Sequence, residues 1–257
     1  MILLLDIGNT RLKWAQLDGG VLGAQHASVH TDGEAAVTLE RLFDEAPRPE
    51  RVLISNVGGA EIGGICADAI TQRWGIVPEF IASSASAAGV TNAYLEPHKL
   101  GVDRWLAVIA AYAMNQGAAC IVSVGTAMTV DAVDADGRHL GGSIVPGPKL
   151  MTASLLKNTS DIASRMSQVD TGADSVFANH TAAAVHHGCT HALASLVDRA
   201  MTELQTRLGT TPALILTGGA TATIAPLIRS EFKDVPDLVL RGLAVIAGEH
   251  ASAPVSE

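Results

Sequence analysis

The sequence predicts an α/β protein built as two related lobes, each a mixed β-sheet flanked by helices, and three observations carry that expectation. The opening stretch, Met1-Ile-Leu-Leu-Leu-Asp-Ile-Gly-Asn-Thr-Arg-Leu-Lys13, is an apolar strand that delivers Asp6 to a tight turn of Gly8, Asn9 and Thr10 and leaves as another strand. About half a chain later the pattern returns in Ala119-Cys-Ile-Val-Ser-Val-Gly-Thr-Ala-Met-Thr129, which sets Ser123 over Asp6, Gly125 over Gly8 and Thr126 over Asn9. In both copies a second strand, Leu12–Leu17 or Thr129–Val133, runs to an Asp-Gly turn, Asp18-Gly19 or Asp136-Gly137, and a third strand follows. Asp-Gly between apolar runs is a strong hairpin signal. Repetition of the whole unit predicts lobes at 1–117 and 118–257, each offering one loop to a ligand between them.

The elements follow in order. After the first three strands, Gly33–Ala46 reads as a helix with Leu39, Leu42 and Phe43 on one face. Arg51–Asn56 is a short buried strand ending at Val57-Gly58-Gly59, Ala60–Trp74 a helix, and Ile76–Ile81 a strand. Ser83–Lys99, rich in Ala, Ser and Asn, reads as a long loop, and Asp103–Asn115 as a helix with Trp105, Leu106, Ile109 and Tyr112 at helical spacing. The second lobe begins near Ala118; its strands end at Pro146-Gly147-Pro148, and a mostly helical run covers Lys149–Leu208. Ala213–Leu216 is a strand broken by Thr217-Gly218-Gly219-Ala220, and Leu238–Ala251 reads as a closing segment.

Composition narrows the class. At 257 residues, 48% hydrophobic and 17% charged, the chain has ample core for two lobes and is not of the disordered type. The apolar run Ile2–Leu5 is too short for a signal peptide and leads into an acid, and no run approaches the ~20 residues that span a bilayer. Cys66, Cys120 and Cys189, odd in number and widely spaced in apolar contexts, read as buried thiols of a cytoplasmic protein. A net charge of −9 with scattered Lys and Arg argues against nucleic-acid binding.

The loops carry the chemistry. A tight glycine turn offers backbone N–H groups to phosphate, and a carboxylate beside it can hold a divalent cation; the same residues also suit a plain hairpin. Leu100-Gly-Val-Asp-Arg104 opens the long helix. There Asp103 can take a proton from a substrate hydroxyl while Arg104 grips an anionic group, although an acid in a first helical turn is also favoured by the helix dipole alone. Two phosphate loops with a base and a carboxylate clamp describe a kinase for a small acid-bearing alcohol. The Thr217–Ala220 turn before a helix suits a nucleotide, or a simple tight connection.

On these residues the chain resembles the type III pantothenate kinases, or Bvg accessory factor family, of the acetate kinase, sugar kinase, Hsp70 and actin superfamily. The matching pieces, in family order, are Asp6–Lys13, Gly101–Arg104, Gly125-Thr-Ala-Met-Thr-Val-Asp131, Leu140-Gly-Gly-Ser-Ile-Val-Pro-Gly-Pro-Lys-Leu-Met151, Thr217–Ala220 and Leu240-Arg-Gly-Leu243. The resemblance implies actin-like (ribonuclease H-like) lobes and ATP-dependent phosphorylation of pantothenate, the first step toward coenzyme A. It assigns Asp6, Gly8, Asn9, Thr10, Arg11, Lys13, Gly125 and Thr126 to ATP, with Asp6 close to Mg2+. Asp103 becomes the proton acceptor, and Gly101, Val102, Asp103, Arg104 and Tyr94 line the pantothenate pocket. Thr181 matches a threonine that family dimers contribute from the opposite subunit, so a homodimer with a shared site is implied, without membrane or nucleic acid as partner. A regulatory role of the kind the family's other name reflects is the alternative of another class, and a sugar kinase or polyphosphate phosphatase of the superfamily the next.

One position departs from the family. Its second loop usually reads Asp-x-Gly-Thr-Ala, and that Asp helps bind the potassium or ammonium on which many members depend; here it is Ser123. A hydroxyl is a weaker ligand for a hard cation than a carboxylate, so a reduced or absent monovalent-cation requirement is expected. Asp131 is also a family position, with a structural role the simpler reading. His187 and His191 have metal-ligand spacing on a helix, but their apolar setting favours packing. Trp14, Trp74 and Trp105 read as core or interface, and Met114, Met128 and Met151 as core filling.

Overall fold

A computed structural model describes residues 1–30, 35–115, 117–158 and 175–252. The chain divides into two compact units: Met1–Gln116, Asp136–His139 and Asp237–Glu257 form one, and Gly117–Ala135 with Leu140–Pro236 the other. The closing helix, which a linear division puts in the second lobe, packs in the first unit.

In the first unit β1 (Ile2–Ile7) is central, antiparallel to β2 (Arg11–Asp18) and parallel to β5 (Arg51–Asn56). The sheet runs β3-β2-β1-β5-β6, with β3 at Val21–Leu22 and β6 at Glu79–Phe80, and β4 (His26–Val29) also pairs with β2. Leu3, Leu4 and Leu5 are all fully buried, as expected of a strand covered on both faces. On one side α1 (Ala35–Glu45) and α2 (Ala60–Trp74) bring Leu39, Leu42, Cys66, Ile70 and Trp74 against Leu3, Leu5, Ile7 and Trp14. Gly75, left-handed at φ 70, ends α2 by returning its N–H to Thr71 O. Helix α3 (Val102–Asn115) packs against the helix Leu238–Ser252, which also touches β1 and β5. A Cβ at Gly242 would overlap the Leu106 carbonyl, so glycine is what lets these two backbones meet.

The second unit repeats the plan. Strand β9 (Ala119–Val124) is antiparallel to β10 (Ala127–Val133) and parallel to β12 (Ala213–Thr217), in the order β11-β10-β9-β12-β13, with β11 at His139–Pro146 and β13 at Lys233–Asp234. The central strand again has an antiparallel hairpin partner on one side and a parallel strand on the other. Cys120, Val122, Val124 and Met128 pack against Leu193, Val197, Met201 and Leu204 of the long helix Thr181–Leu208. A shorter helix, α4 (Pro148–Asn158), lies against that helix, here α5.

Several local expectations shift. Ser83–Lys99 is not wholly loop: β7 (Ser86–Ala87) and β8 (Val90–Thr91) form a hairpin through Ala88 and Gly89, both at positive φ, and Pro97–Lys99 is a 3-10 turn. The strand in Ile76–Ile81 shrinks to Glu79–Phe80; of the helix expected over Gly33–Ala46, residues 33 and 34 lie outside the described residues and Ala35–Glu45 is helical. The expected helical run Lys149–Leu208 appears as α4 and α5, with 159–174 outside the described residues. Met114 is half-exposed rather than core, whereas Met128 and all three tryptophans are buried.

Candidate active site

Strand register builds the first loop. Asp6, at the end of β1, sits between Lys13 on β2 and Ser55 on β5. Beyond it the Gly8 N–H donates to Arg11 O at 3.0 Å, closing a turn that leaves Asn9 and Thr10 exposed. The β5–α2 connection braces this turn: Val57 and Gly58 N–H groups both donate to Ile7 O, at 2.9 and 3.1 Å. A Cβ at Gly58 would lie 2.8 Å from Gly8 O, so the brace needs a glycine. Asn56 Oδ1 in turn accepts the Gly58 N–H at 3.0 Å.

Asp6 is only 7% exposed. Burial pushes its carboxyl up to about 6; Lys13 opposes the rise, the Asp103 carboxylate adds to it, and a hydrogen bond from Ser55 Oγ at 3.1 Å restrains it. This carboxylate is under-compensated by the protein around it. A divalent cation would supply the missing charge, so the donor chemistry fits Mg2+.

The acceptor end is built on α3. Asp103 Oδ1 accepts the Arg104 N–H at 2.8 Å, which folds the carboxylate back over the helix start. A Cβ at Gly101 would come within 2.8 Å of the same oxygen, so glycine at 101 leaves room for that posture. Arg104 is buried at 6% exposure, donates Nη1–H to Tyr94 Oη at 2.8 Å, and lies over the Tyr94 ring with its Cζ 5.7 Å from the centroid. The other partner of Tyr94 is His139, whose ring is near-parallel to it at 15° and 6.2 Å. His139 Nδ1 accepts the Ala93 N–H at 3.5 Å, while Asn92 Oδ1 accepts that of Tyr94 at 3.0 Å. Tyr94 and Arg104, ten residues apart in sequence, are thus one unit; a guanidinium held this way suits a planar anion.

The second loop stands on β9 and β10. Gly125 N–H donates to Ala127 O at 2.9 Å, so this turn is one residue shorter than the first, and Met128 rather than Thr129 occupies the place of Leu12. Gly147 N–H donates to Thr126 O at 2.8 Å, and a Cβ at Gly147 would overlap Gly125 O. Gly218, at φ 103, lets the Thr217–Ala220 turn lie on Val124, whose carbonyl accepts the Ala220 N–H at 3.0 Å. This is the counterpart of Gly58 in the first unit. Ser123 pairs with Thr129 and Thr217 across the two neighbouring strands. Buried Asp131 adds to the burial that pushes the Cys120 thiol up to about 12. Thr181 opens α5, after His180 caps the helix by accepting the Ala183 N–H, and lines an apolar groove with Met151, Val185 and Gly188.

Sequence reasoning missed Ser55, His30 and His139, each a long-range partner of a residue it had singled out. His30 Nε2 contacts Gly8 O at 2.7 Å. None of the three sits in a recognisable pattern; only the strand ends they occupy could have flagged them. Among the described residues, both ring nitrogens of His187 and Nε2 of His191 are buried without a hydrogen-bond partner, and no group of three or more His, Cys, Asp or Glu could hold a metal.

Two sheets of one topology, each with a glycine turn at the end of its central strand, define the actin-like ATPase and sugar kinase fold. Solved structures agree: a protein from Campylobacter jejuni described as a Baf family transcriptional activator superposes at TM-score 0.61, with 22% identity over 98% of this chain and all of that one. Component A of (R)-2-hydroxyglutaryl-CoA dehydratase from Acidaminococcus fermentans gives 0.57 at 14% identity, covering 98% of this chain and 99% of the other. The type III pantothenate kinase family model matches residues 2–203, and a protein of that name from Nitrosococcus oceani is 36% identical over 252 residues, 96% of this chain and 94% of its own. The chain belongs to the type III pantothenate kinase family.

Proposed function

We propose that this protein transfers the γ-phosphoryl group of ATP to the primary hydroxyl of pantothenate, giving 4'-phosphopantothenate and ADP at the entry to coenzyme A synthesis. One observation supports the reading beyond family membership: within the first unit, the charge-deficient Asp6 beside the Gly8–Arg11 turn feels the carboxylate of Asp103, whose neighbour Arg104 is locked to Tyr94. A phosphate loop and an acid-recognising clamp in one electrostatic neighbourhood are what such a transfer needs.

The roles follow from the chemistry. Backbone N–H groups of Gly8, Asn9 and Thr10, with Arg11 and Lys13, receive the ATP phosphates, and Gly125 and Thr126 are nucleotide contacts as well. Asp6 would hold Mg2+, which supplies neutralisation of phosphate charge. Arg104 and Tyr94 take the pantothenate carboxylate, with Gly101 and Val102 lining that pocket. Asp103 orients the hydroxyl and accepts its proton as the O–P bond forms and the bond to the ADP oxygen breaks; a loose transition state asks for positioning and charge stabilisation above all. Thr181, half-buried at the start of α5, completes the pocket of a partner subunit in a homodimer. The reaction belongs in the cytoplasm; no helix among the described residues is long and apolar enough to cross a membrane. With Ser123 in place of a carboxylate, potassium or ammonium activation is weak or absent.

A coupled ADP-release assay tests this. Wild type should require pantothenate and Asp103→Asn should lose turnover; pantothenate-independent ADP release, or full activity in the variant, refutes the mechanism. Steep potassium activation in Tris-buffered sodium would refute the role given to Ser123.

A further inference from the structure

His30 lies just past β4, where that strand pairs with β2 beside the first phosphate turn. It touches the turn twice. Its backbone N–H donates to Thr10 O at 3.2 Å, and its ring Nε2 stands 2.7 Å from Gly8 O. A carbonyl oxygen only accepts, so Nε2 carries the proton, and the bond can form with the ring neutral or protonated.

We propose that His30 is a positioning residue for the nucleotide, holding the Gly8–Asn9 peptide with its N–H toward the phosphates. The inference rests on the reading of Gly8–Arg11 as an ATP loop. A trans peptide is planar, so its N–H points opposite to its C=O. With Gly8 O fixed on His30, the Asn9 N–H faces away from the histidine, and among the described residues no acceptor meets it. The remaining contacts do not fix this peptide: Gly8 N–H is held by Arg11 O and Ile7 O by Val57 and Gly58 N–H, all on the peptide before it. Glycine at 8 makes rotation about the Gly8–Asn9 unit easy. Rotation would turn a carbonyl dipole toward phosphate oxygens and remove a donor. Gly58 packs against Gly8 O, but among the described residues the hydrogen bond that opposes the rotation comes from His30.

Three variants separate the hydrogen bond from packing. His30→Phe keeps a ring of similar bulk without a donor; His30→Gln offers an amide N–H at the reach of Nε2; His30→Ala removes both. Loss of one donor at a charged ligand predicts a rise of about tenfold in KM for ATP for the Phe and Ala variants, with KM for pantothenate unchanged. The Gln variant should return to within about threefold of wild type on the same scale. Titration calorimetry with a non-hydrolysable ATP analogue and MgCl2 should show the same order in Kd. Wild-type affinity in the Phe variant overturns the inference, as does a Gln variant no better than Phe, or an equal rise in both KM values. Failure of wild type to bind the analogue overturns the loop assignment itself, and the inference with it. If the Ala variant does not fold, as read by circular dichroism, the near-isosteric Phe and Gln pair decides.

Discussion

Replacing Asp6 with Asn should make the protein more stable while making it inactive. Burial raises this carboxyl from its ordinary 3.8 to about 6. At about 1.4 kcal/mol for each tenfold change in proton affinity, keeping it ionised in the folded chain costs about 3 kcal/mol. The sign follows from the direction of the rise. Below pH 3.8 the group is protonated in both folded and unfolded chains, and its contribution to stability is fully present. As pH climbs from 3.8 through about 6 the unfolded chain ionises more readily, so stability falls and then levels. Asparagine never ionises, and its amide oxygen can still accept the Ser55 hydroxyl. In EDTA at pH 8, Asp6→Asn should therefore gain up to about 3 kcal/mol, roughly 6–12 °C in Tm for a chain of this size, and the gain should vanish near pH 4. Denaturant and thermal unfolding of both proteins at the two pH values measure it. A variant that melts at or below wild type at pH 8, or an offset equal at pH 8 and pH 4, would refute the claim that Asp6 is strained by desolvation.

Three other outcomes follow from contacts already described. Gly101→Ala places a methyl against Asp103 Oδ1 and should lower kcat about ten- to a hundredfold with KM for ATP little changed, as steady-state kinetics would show. Adjacent glycines in α2 should answer oppositely in denaturant melts: Gly64→Ala, with open space around it, should stabilise by about 1 kcal/mol, whereas Gly63→Ala drives a Cβ into the Asn56 side chain and should destabilise by about 1–3 kcal/mol. Burial pushes the Cys66 thiol up to about 11 and Cys120 up to about 12, so at pH 8 both should resist a thiol reagent in the native protein and react promptly in guanidinium; fast native labelling mapped to either by mass spectrometry would contradict their burial.

What the sequence made legible was local. Asp6 through Lys13 reads as strand, turn and strand because apolar alternation and a glycine turn are properties of neighbours. The duplicated sheet order could be anticipated from the second copy at Ser123–Thr126 for the same reason. Gly101–Arg104 was visible because a glycine, an acid and an arginine at a helix start already carry their chemistry. The partners that complete these residues were hidden, since nothing near Ser55, His30 or His139 in the chain says that each will meet Asp6, Gly8 or Tyr94 across a sheet or from a distant hairpin. The register of the second hairpin was off by one for a related reason: its turn is a residue shorter, and turn closure is a backbone matter that composition does not report. The last stretch was legible only as a closing segment; it is a helix with Leu238, Leu240 and Leu243 buried, and an apolar face does not name the surface it covers. Gly242 against Leu106 does.

That last contact bears on how the molecule comes into being. The helix carrying Asp103 and Arg104 completes its packing only against residues 238–252, and every residue of the second unit is translated before them. A chain emerging from the ribosome can assemble the second sheet and α5 while its own beginning still lacks a wall. Misfolding during synthesis should therefore concentrate in the first unit, whose Gly8–Arg11 loop becomes a finished part of the enzyme only after residues 238–252 have been made.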